Sequence, residues 1–405
     1  MKTPAKPERA LPAWALILLL GAFASLTSMS VDMYLPALPR IAVELQAPAH
    51  AVTATLSLFI GGLGIGQLLA GPWSDRVGRR PPVLWGLGIY LAGSLTIAVA
   101  GGIELFLVGR LLQALGASAV TVTGRAVVRD LYQEHDAARF LAATTLITGL
   151  MPIIAPLAGT AVLAVAGWRA IFLVTALAAA PLLIAAALWL PESRSHATRE
   201  RAHGRHPLRT YAEMLRDRRL LGFLLAAGCN AACFFTYLGS SPLVLMNTYH
   251  LGPSTYSTAV AINALGLLGA SQLNRHLLRT RRPQAILAGS ARNAVLLGLA
   301  YIAFAATLWG GLPVLLLLFF LAVASLSIVQ NNTLACALSV DPQRAGAAAA
   351  LFGAATFGMG TLMSYLAGWL YDGTARPMTL VIALNLLGAA AALRWLALPP
   401  ARARC

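Results

Sequence analysis

Two charged residues sit where an apolar chain has least reason to carry them. Asp32 comes at the end of an uncharged run that starts at Leu11, and Arg110 lies well inside a later apolar run. A carboxylate at membrane depth costs about 2.5 to 3.5 kcal/mol, so Asp32 needs a reason to be there. It is either a protonatable site facing a cavity or an interfacial acid that ends a helix ahead of Pro36. Arg110 poses the same question, answered either by a charge relationship or by bonds to backbone carbonyls. Burial and a neighbouring guanidinium act in opposite senses on a carboxyl's proton. A motion that changed the separation of Asp32 and Arg110 would therefore load or release a proton.

A third constellation is the stretch Gly71-Pro72-Trp73-Ser74-Asp75-Arg76-Val77-Gly78-Arg79-Arg80-Pro81. Gly71-Pro72 reads as the end of a helix and Gly78 permits a tight turn. A basic loop on the inner face of a membrane would account for the arginines, but not for Asp75 and the two glycines at these places. The polar residues Gln113, Asn230, Tyr237, Asn263, Gln272 and Asn331 also fall inside apolar runs. They either line a cavity or bond between helices, because an amide facing lipid is costly. Gly62, Gly64 and Gly66 read as close helix packing.

The elements that must position these groups follow from composition. Of 405 residues 58% are hydrophobic and 11% charged, under half the charge density of a soluble chain. Apolar runs of about 20 residues, each long enough to cross a ~30 Å hydrocarbon core, alternate with short charged clusters. Charge, proline and glycine punctuation divides them into twelve spans. These run over about 12–32, 51–70, 82–100, 104–128, 138–166, 168–190, 220–240, 255–274, 284–307, 312–335, 345–370 and 377–398. The fold class is an all-α membrane protein in three parts: residues 1–190, a basic linker 191–218, and residues 219–405. The run from Leu11 is too long for a cleaved signal peptide and reads as the first span.

With the N-terminus inside, only Arg40, Arg169 and Arg376 fall in outer loops, and Arg110, Arg125, Arg292 and Arg394 lie within spans or near their ends. The other bases are then cytoplasmic, which places both termini there. The net charge of +16 reads as this bias and not as a nucleic-acid surface. Cys229, Cys233, Cys336 and Cys405 form no CxxC pair, and His203 and His206 lie in a solvated loop, so no disulfide, metal or cofactor is expected. The only lysines, Lys2 and Lys6, fit no phosphate-cradling loop, and neither an HExxH nor a GxSxG motif is present. No enzyme is expected.

The loop at Gly71–Pro81 resembles the G-x-x-x-D-R-x-G-R-R loop between helices 2 and 3 of the major facilitator superfamily. Arg110-Leu-Leu-Gln113-Ala-Leu-Gly116 resembles that family's R-x-x-Q-x-x-G motif. Gly149-x-x-Pro152-x-x-x-Pro156-x-x-Gly159 resembles the helix-5 motif of its drug:proton antiporters, with Ala155 where a glycine usually precedes the proline. Asp32-Met-Tyr34-Leu-Pro36-Ala-Leu-Pro39, Gly167-Trp168-Arg169-Ala-Ile-Phe172, Ser241-Pro242 and Asn263 with Ser271-Gln272-x-Asn274 look like the bicyclomycin-resistance (Bcr/CflA) branch. The second half keeps only the basic character of the loop, at Asn274 to Pro283.

The resemblance implies the major facilitator fold, two six-helix bundles of 3+3 inverted repeats with a substrate site between them. It implies proton-coupled export of small amphipathic drugs by alternating access, from a bacterial cytoplasmic membrane. Asp32 would carry the proton and Arg110 would tune it. Tyr34, Gln113, Asn230, Tyr237, Asn263 and Asn331 would line the cavity. Gly71, Asp75, Arg76, Gly78, Arg79 and Arg80 would latch the cytoplasmic side, with Asp130 at the end of helix 4 as partner. The expected partners are a small-molecule substrate, protons and the bilayer, and the expected state is a monomer. A same-fold metabolite exporter or importer, or a non-transporting membrane sensor, is the alternative.

Overall fold

A computed structural model describes residues 12–132, 134–193, 207–341 and 344–398, all helix and loop with no strand among them. The tail lysines, the linker histidines His203 and His206, and Cys405 lie outside the described residues. The helices are α1 (Ala13–Asp32), α2 (Ala49–Val77), α3 (Arg80–Ala98) and α4 (Ile103–Leu131). One helical stretch, Glu134–Trp189, follows and is interrupted at Gly167, whose φ of 78° is left-handed; it divides into α5 (134–166) and α6 (168–189). The second half contains α7 (Arg218–Pro242), α8 (Pro253–Leu277), α9 (Pro283–Thr307), α10 (Gly311–Val340), α11 (Ala345–Trp369) and α12 (Arg376–Ala392).

Ten stretches of the described residues are long and apolar enough to cross a bilayer. The two missing from the expected twelve have physical reasons. Helices α5 and α6 run into one another within the stretch Ile147–Trp189, and Gly167 makes the turn because a residue with a Cβ pays to enter that backbone region. Helix α8 has 25 residues, enough to span, but Ser, Thr, Asn and Gln along it lower its hydropathy. The observed starts and ends match the expected spans to within a few residues, with one correction. Helix α2 does not stop at Gly71-Pro72 but continues through Pro72 to Val77. The rung that proline breaks lies in the last two turns, and the helix ends instead at Gly78, with φ 106°. At 29 residues it is roughly 43 Å long, so its last turns, carrying Asp75, project beyond a ~30 Å core.

By internal contacts the chain forms two compact units, Met1–Tyr34 with Ile65–Arg205 and Leu35–Gly64 with His206–Cys405. The first half of α2 thus groups with the second set of helices, where the sequence boundary at residue 190 puts it with the first. Its packing there is close: a Cβ on Gly368 of α11 would meet Thr53, and one on Gly64 would lie 2.9 Å from Phe357. In the first unit α3 and α4 touch backbone to backbone. A Cβ on Gly116 would fall 2.4 Å from the Gly86 carbonyl oxygen, and one on Gly93 would fall 2.6 Å from the Gln113 nitrogen. Small residues at such contacts are how membrane helices gain packing without a hydrophobic driving force.

Candidate functional site

Asp32 is the last residue of α1 and is 5% exposed. Among the described residues no hydrogen bond or ion pair reaches its carboxylate. Directly after it the helix breaks: Met33 and Tyr34 lead into a 3-10 turn, Leu35–Ala37, and a short helix, Leu38–Glu44. Pro36 and Pro39 have no N–H to donate and restrict the residues before them, so a regular helix cannot run on through this stretch. The break is held from the side by α5. Gly159 of the helix-5 motif lies against the backbone of Met33, and nothing larger fits between them.

Arg110, from α4, is fully buried. Its Nη1 donates to the Ser30 carbonyl oxygen and to Gln113 Oε1, each at 2.8 Å. Its guanidinium carbon stands 4.2 Å from the centroid of the Tyr34 ring, a cation–π contact that is worth about 2 kcal/mol when desolvated. Gln113 in turn donates Nε2 to Ser94 Oγ at 2.9 Å and to Thr175 Oγ1 at 3.5 Å. Ser30 Oγ and Tyr90 Oη share a hydrogen bond of 2.6 Å. The Tyr34 ring also meets Phe172 at 6.0 Å, Phe172 meets Phe106 edge-on at 5.4 Å, and Phe106 packs on Trp168 at 5.7 Å. Helices α1, α3, α4 and α6 therefore converge on one buried polar and aromatic cluster.

The structure brings Asp32, Tyr34, Arg110 and Gln113 into this neighbourhood, but no ion pair joins Asp32 to Arg110. Arg110 bonds the backbone two residues before the acid. Gln113 is fully buried and Tyr34 is 1% exposed, both held by neighbours inside the first unit. A cavity of about 270 Å³ in that unit is lined by other residues, among them Leu20, Phe23, Thr121, Arg125 and Thr148. Arg125, which the sequence places only within a span or near its end, is thus a cavity cation.

At the end of the same unit where α2 passes into α3, Arg79 is the hub. It is 3% exposed, and its Nε donates to Asp130 Oδ2 at 2.7 Å while its Nη1 donates to Asp75 Oδ1 and Ser74 Oγ, each at 2.8 Å. Its backbone N–H donates to Glu192 Oε1 at 2.8 Å, and the Arg80 N–H to Glu192 Oε2 at 3.3 Å. Arg80 also donates to the Ala187 carbonyl, and Ser193 Oγ donates to Asp130 Oδ2 at 3.3 Å. The Arg79 guanidinium thereby ties the end of α2 to that of α4, and the Arg79 and Arg80 backbone N–H groups with the Arg80 side chain tie this corner to the end of α6. Burial disfavours its charge, but the bonds and attraction of Asp130 and Asp75 more than offset this and hold Arg79 above the ordinary arginine value. Arg76 is exposed and joins no pair among the described residues. Glu192 was missed in the sequence, though a single acid just after span 6 and before a basic run is a signal that could have found it.

In the second unit, Asn263 Nδ2 donates to Tyr237 Oη at 2.8 Å, and Tyr237 packs on Phe319 with ring centroids 5.0 Å apart. Asn230 donates Nδ2 to the Leu326 carbonyl at 3.2 Å and lines a cavity of about 430 Å³ with Ser290, Asn293 and Ser325. Asn331 is exposed, whereas its neighbour Asn332 is buried and donates to Asn274 Oδ1 at 2.6 Å. Gln330, also overlooked, has a buried Oε1 without a hydrogen-bond partner among the described residues. Of the helix-5 motif, Pro152 and Pro156 stand inside α5 and remove two rung donors there, and Gly149 precedes them on the same helix.

The sequence profile of the Major Facilitator Superfamily matches residues 18–364. An uncharacterized MFS-type transporter of Bacillus subtilis, YdgK, is 32% identical over 375 residues, 90% of each chain. A bicyclomycin resistance protein homolog of Haemophilus influenzae is 28% identical, covering 89% of this chain and 91% of its own. Among solved structures, a bacterial homolog of the human lysosomal transporter Spinster superposes with a TM-score of 0.72 at 14% identity, covering 96% of this chain and 97% of its own.

Proposed function

The chain belongs to the Major Facilitator Superfamily, multi-pass membrane transporters and not enzymes, and on that premise we propose that it exports small amphipathic compounds in exchange for protons. The bicyclomycin resistance homolog supports the choice of cargo. The observation that carries the coupling is Asp32: a buried carboxyl at a helix break, with no bond among the described residues to fix its charge state. A structural acid of α1 would be paired or bonded; one that must take up and release a proton is best left without a fixed partner.

In this reading Asp32 binds the proton and Arg110 acts on it indirectly. By holding the Ser30 carbonyl and lying on Tyr34, Arg110 sets where the end of α1 sits, and a rearrangement of α4 against α1 shifts its charge relative to the carboxyl. The Arg79 hub keeps the cytoplasmic ends of α2, α4 and α6 together while the transporter alternates access. The protein then works as a monomer in a bacterial cytoplasmic membrane with both termini inside. One proton per cycle supplies about 2.3 kcal/mol per 100 mV, enough for roughly a 50-fold gradient of a neutral cargo.

The test is flux in proteoliposomes with an imposed pH gradient, using an antibiotic panel that includes bicyclomycin and chloramphenicol. Uphill accumulation of a panel member on the acidic side is the expected result. Flux of the compound down the proton gradient would make the protein an importer, and absence of gradient-driven flux would overturn the proposal.

A further inference from the structure

Helices α9 and α12 pack side by side within the second unit, and toward one end a groove opens between them with a volume of about 780 Å³. Its floor is small and apolar: Ala288 and Ala291 on α9, Gly388 and Ala391 on α12. Two arginines stand in it, Arg292 and Arg394. Both are exposed, and neither makes a hydrogen bond or ion pair among the described residues. Neither Pro283–Thr307 nor Arg376–Ala397 contains an acid, so nothing on these two helices neutralises the pair.

Their depth gives the pair its meaning. Arg279, Arg281 and Arg282 precede α9 and mark that end as the cytoplasmic side. Arg394 lies in the last turn before Ala397, close to the same interface. Arg292 is nine residues into α9, roughly 13 Å of helix rise inward from Pro283, deeper than a positive-inside signal requires. Trp395, at 77% exposure, sits beside Arg394 as an interfacial anchor. An exposed cation at that depth on a lipid-facing helix is unfavourable unless an anion comes to it. The anions available along a bilayer-facing groove are the headgroups of its lipids, and basic pockets between membrane helices on the cytoplasmic side are where such headgroups bind.

We propose that this groove holds an anionic phospholipid of the cytoplasmic leaflet, its phosphate on Arg292 and Arg394 and an acyl chain along the small-residue floor. The planar guanidinium forks suit phosphate oxygens, and the short side chains of Ala288, Ala291 and Ala391 along the lining leave space beside the arginines for a hydrocarbon chain. The site lies outside every residue assigned to proton coupling or cytoplasmic gating, so it stands whatever the cargo.

The experiment is native mass spectrometry of the full chain exchanged into mixed phosphatidylglycerol and phosphatidylcholine. Wild type should retain phosphatidylglycerol in preference. Arg292→Gln with Arg394→Gln should lower that preference roughly ten- to thirty-fold, as expected for two cations at about 1 kcal/mol each. Arg279→Gln with Arg281→Gln, which removes charge outside the groove, should leave it. Equal retention of both lipids by wild type, an unchanged preference in the groove variant, or an equal loss in the loop variant would overturn the proposal. So would a dimer that closes this face without lipid. Should the groove variant fail to fold, wild type cross-linked to phosphatidylglycerol with a photoreactive headgroup decides: label on the peptides holding Arg292 and Arg394 supports the site, and label elsewhere refutes it.

Discussion

Gly159 of α5 and Met33 beyond the end of α1 meet so closely that a Cβ at position 159 would lie 1.9 Å from the Met33 carbonyl oxygen. The obstacle is backbone on both sides, so no rotamer change relieves it. Because Asp32 immediately precedes Met33, the glycine of the helix-5 motif controls how near α5 comes to the acid.

Gly159→Ala should therefore displace α5 from the break and cost about 1 to 3 kcal/mol or more, the usual penalty of overpacking. Gly71→Ala is the control, since a Cβ there meets nothing within 4 Å. Thermal unfolding in detergent should show a lowered midpoint for the first and none for the second, and a normal midpoint for Gly159→Ala would show that the helices are free to separate.

Asp32→Asn replaces a buried carboxyl that has no bond to lose among the described residues with an amide of the same shape. The variant should fold with wild-type stability and still exchange cargo downhill, while losing accumulation driven by a proton gradient. Binding should depend on pH in wild type and not in the variant. Uphill export retained by Asp32→Asn would move the coupling acid elsewhere.

Arg79→Ala leaves Asp75 and Asp130 facing each other's charge without the guanidinium between them. Breaking a buried pair costs 3 to 5 kcal/mol, but Asp75 is 44% and Asp130 22% exposed, so solvent screening brings the expected loss to roughly 2 kcal/mol. Arg76→Ala should change stability by less than about 0.5 kcal/mol. Arg79 is held above the ordinary arginine value, so its contribution is fully present below that value and would be lost only as pH rises beyond it. Unfolding of wild type and Arg79→Ala as a function of pH should therefore differ by a constant amount on the alkaline side of neutrality; a gap that closes there would show that the guanidinium is not the group responsible.

Asn332→Ala removes a 2.6 Å bond from α10 to Asn274 of α8 and leaves Asn274 buried. Side-chain bonds between membrane helices average about 0.6 kcal/mol with a maximum near 1.7, and a loss in the upper part of that range is expected. Asn331→Ala, at an exposed position, should leave the unfolding midpoint in place, and equal effects of the two would mean that the bond adds nothing.

Features written along the chain were legible in it. Run lengths between charges locate the helices, and Gly167 marks a break because no other residue turns there at so little cost. The acid among arginines at Asp75 singles out the corner between α2 and α3. Partners distant in sequence were not legible. Glu192 reaches Arg79 across more than a hundred residues, and Tyr90, Ser94 and Thr175 look like ordinary residues of apolar helices until folding sets them around Ser30 and Gln113. The asparagine bonded across helices at 332 could not be told from its neighbour at 331 either. One residue of helical phase separates a buried position from an exposed one, and the hydrophobicity around them is uniform. The overrun of α2 past Pro72 shows the limit of local punctuation, because a proline near a helix end breaks too little to stop it.

The bond from Arg110 to the Ser30 carbonyl can also be seen as a helix cap supplied from another helix. The Met29 carbonyl still accepts from the Met33 N–H, but beyond it the carbonyls of a helix end run out of rung partners and form the negative pole of its dipole. Glycine or a polar residue following in the chain normally settles such an end. Here the settling group is a cation from α4, nearly eighty residues downstream, so the stopping point of α1 is written partly outside α1. Substitutions between Met33 and Pro36 should then leave the acid's place along the helix largely intact, while loss of Arg110 should let the final turn fray even though no residue of α1 has changed.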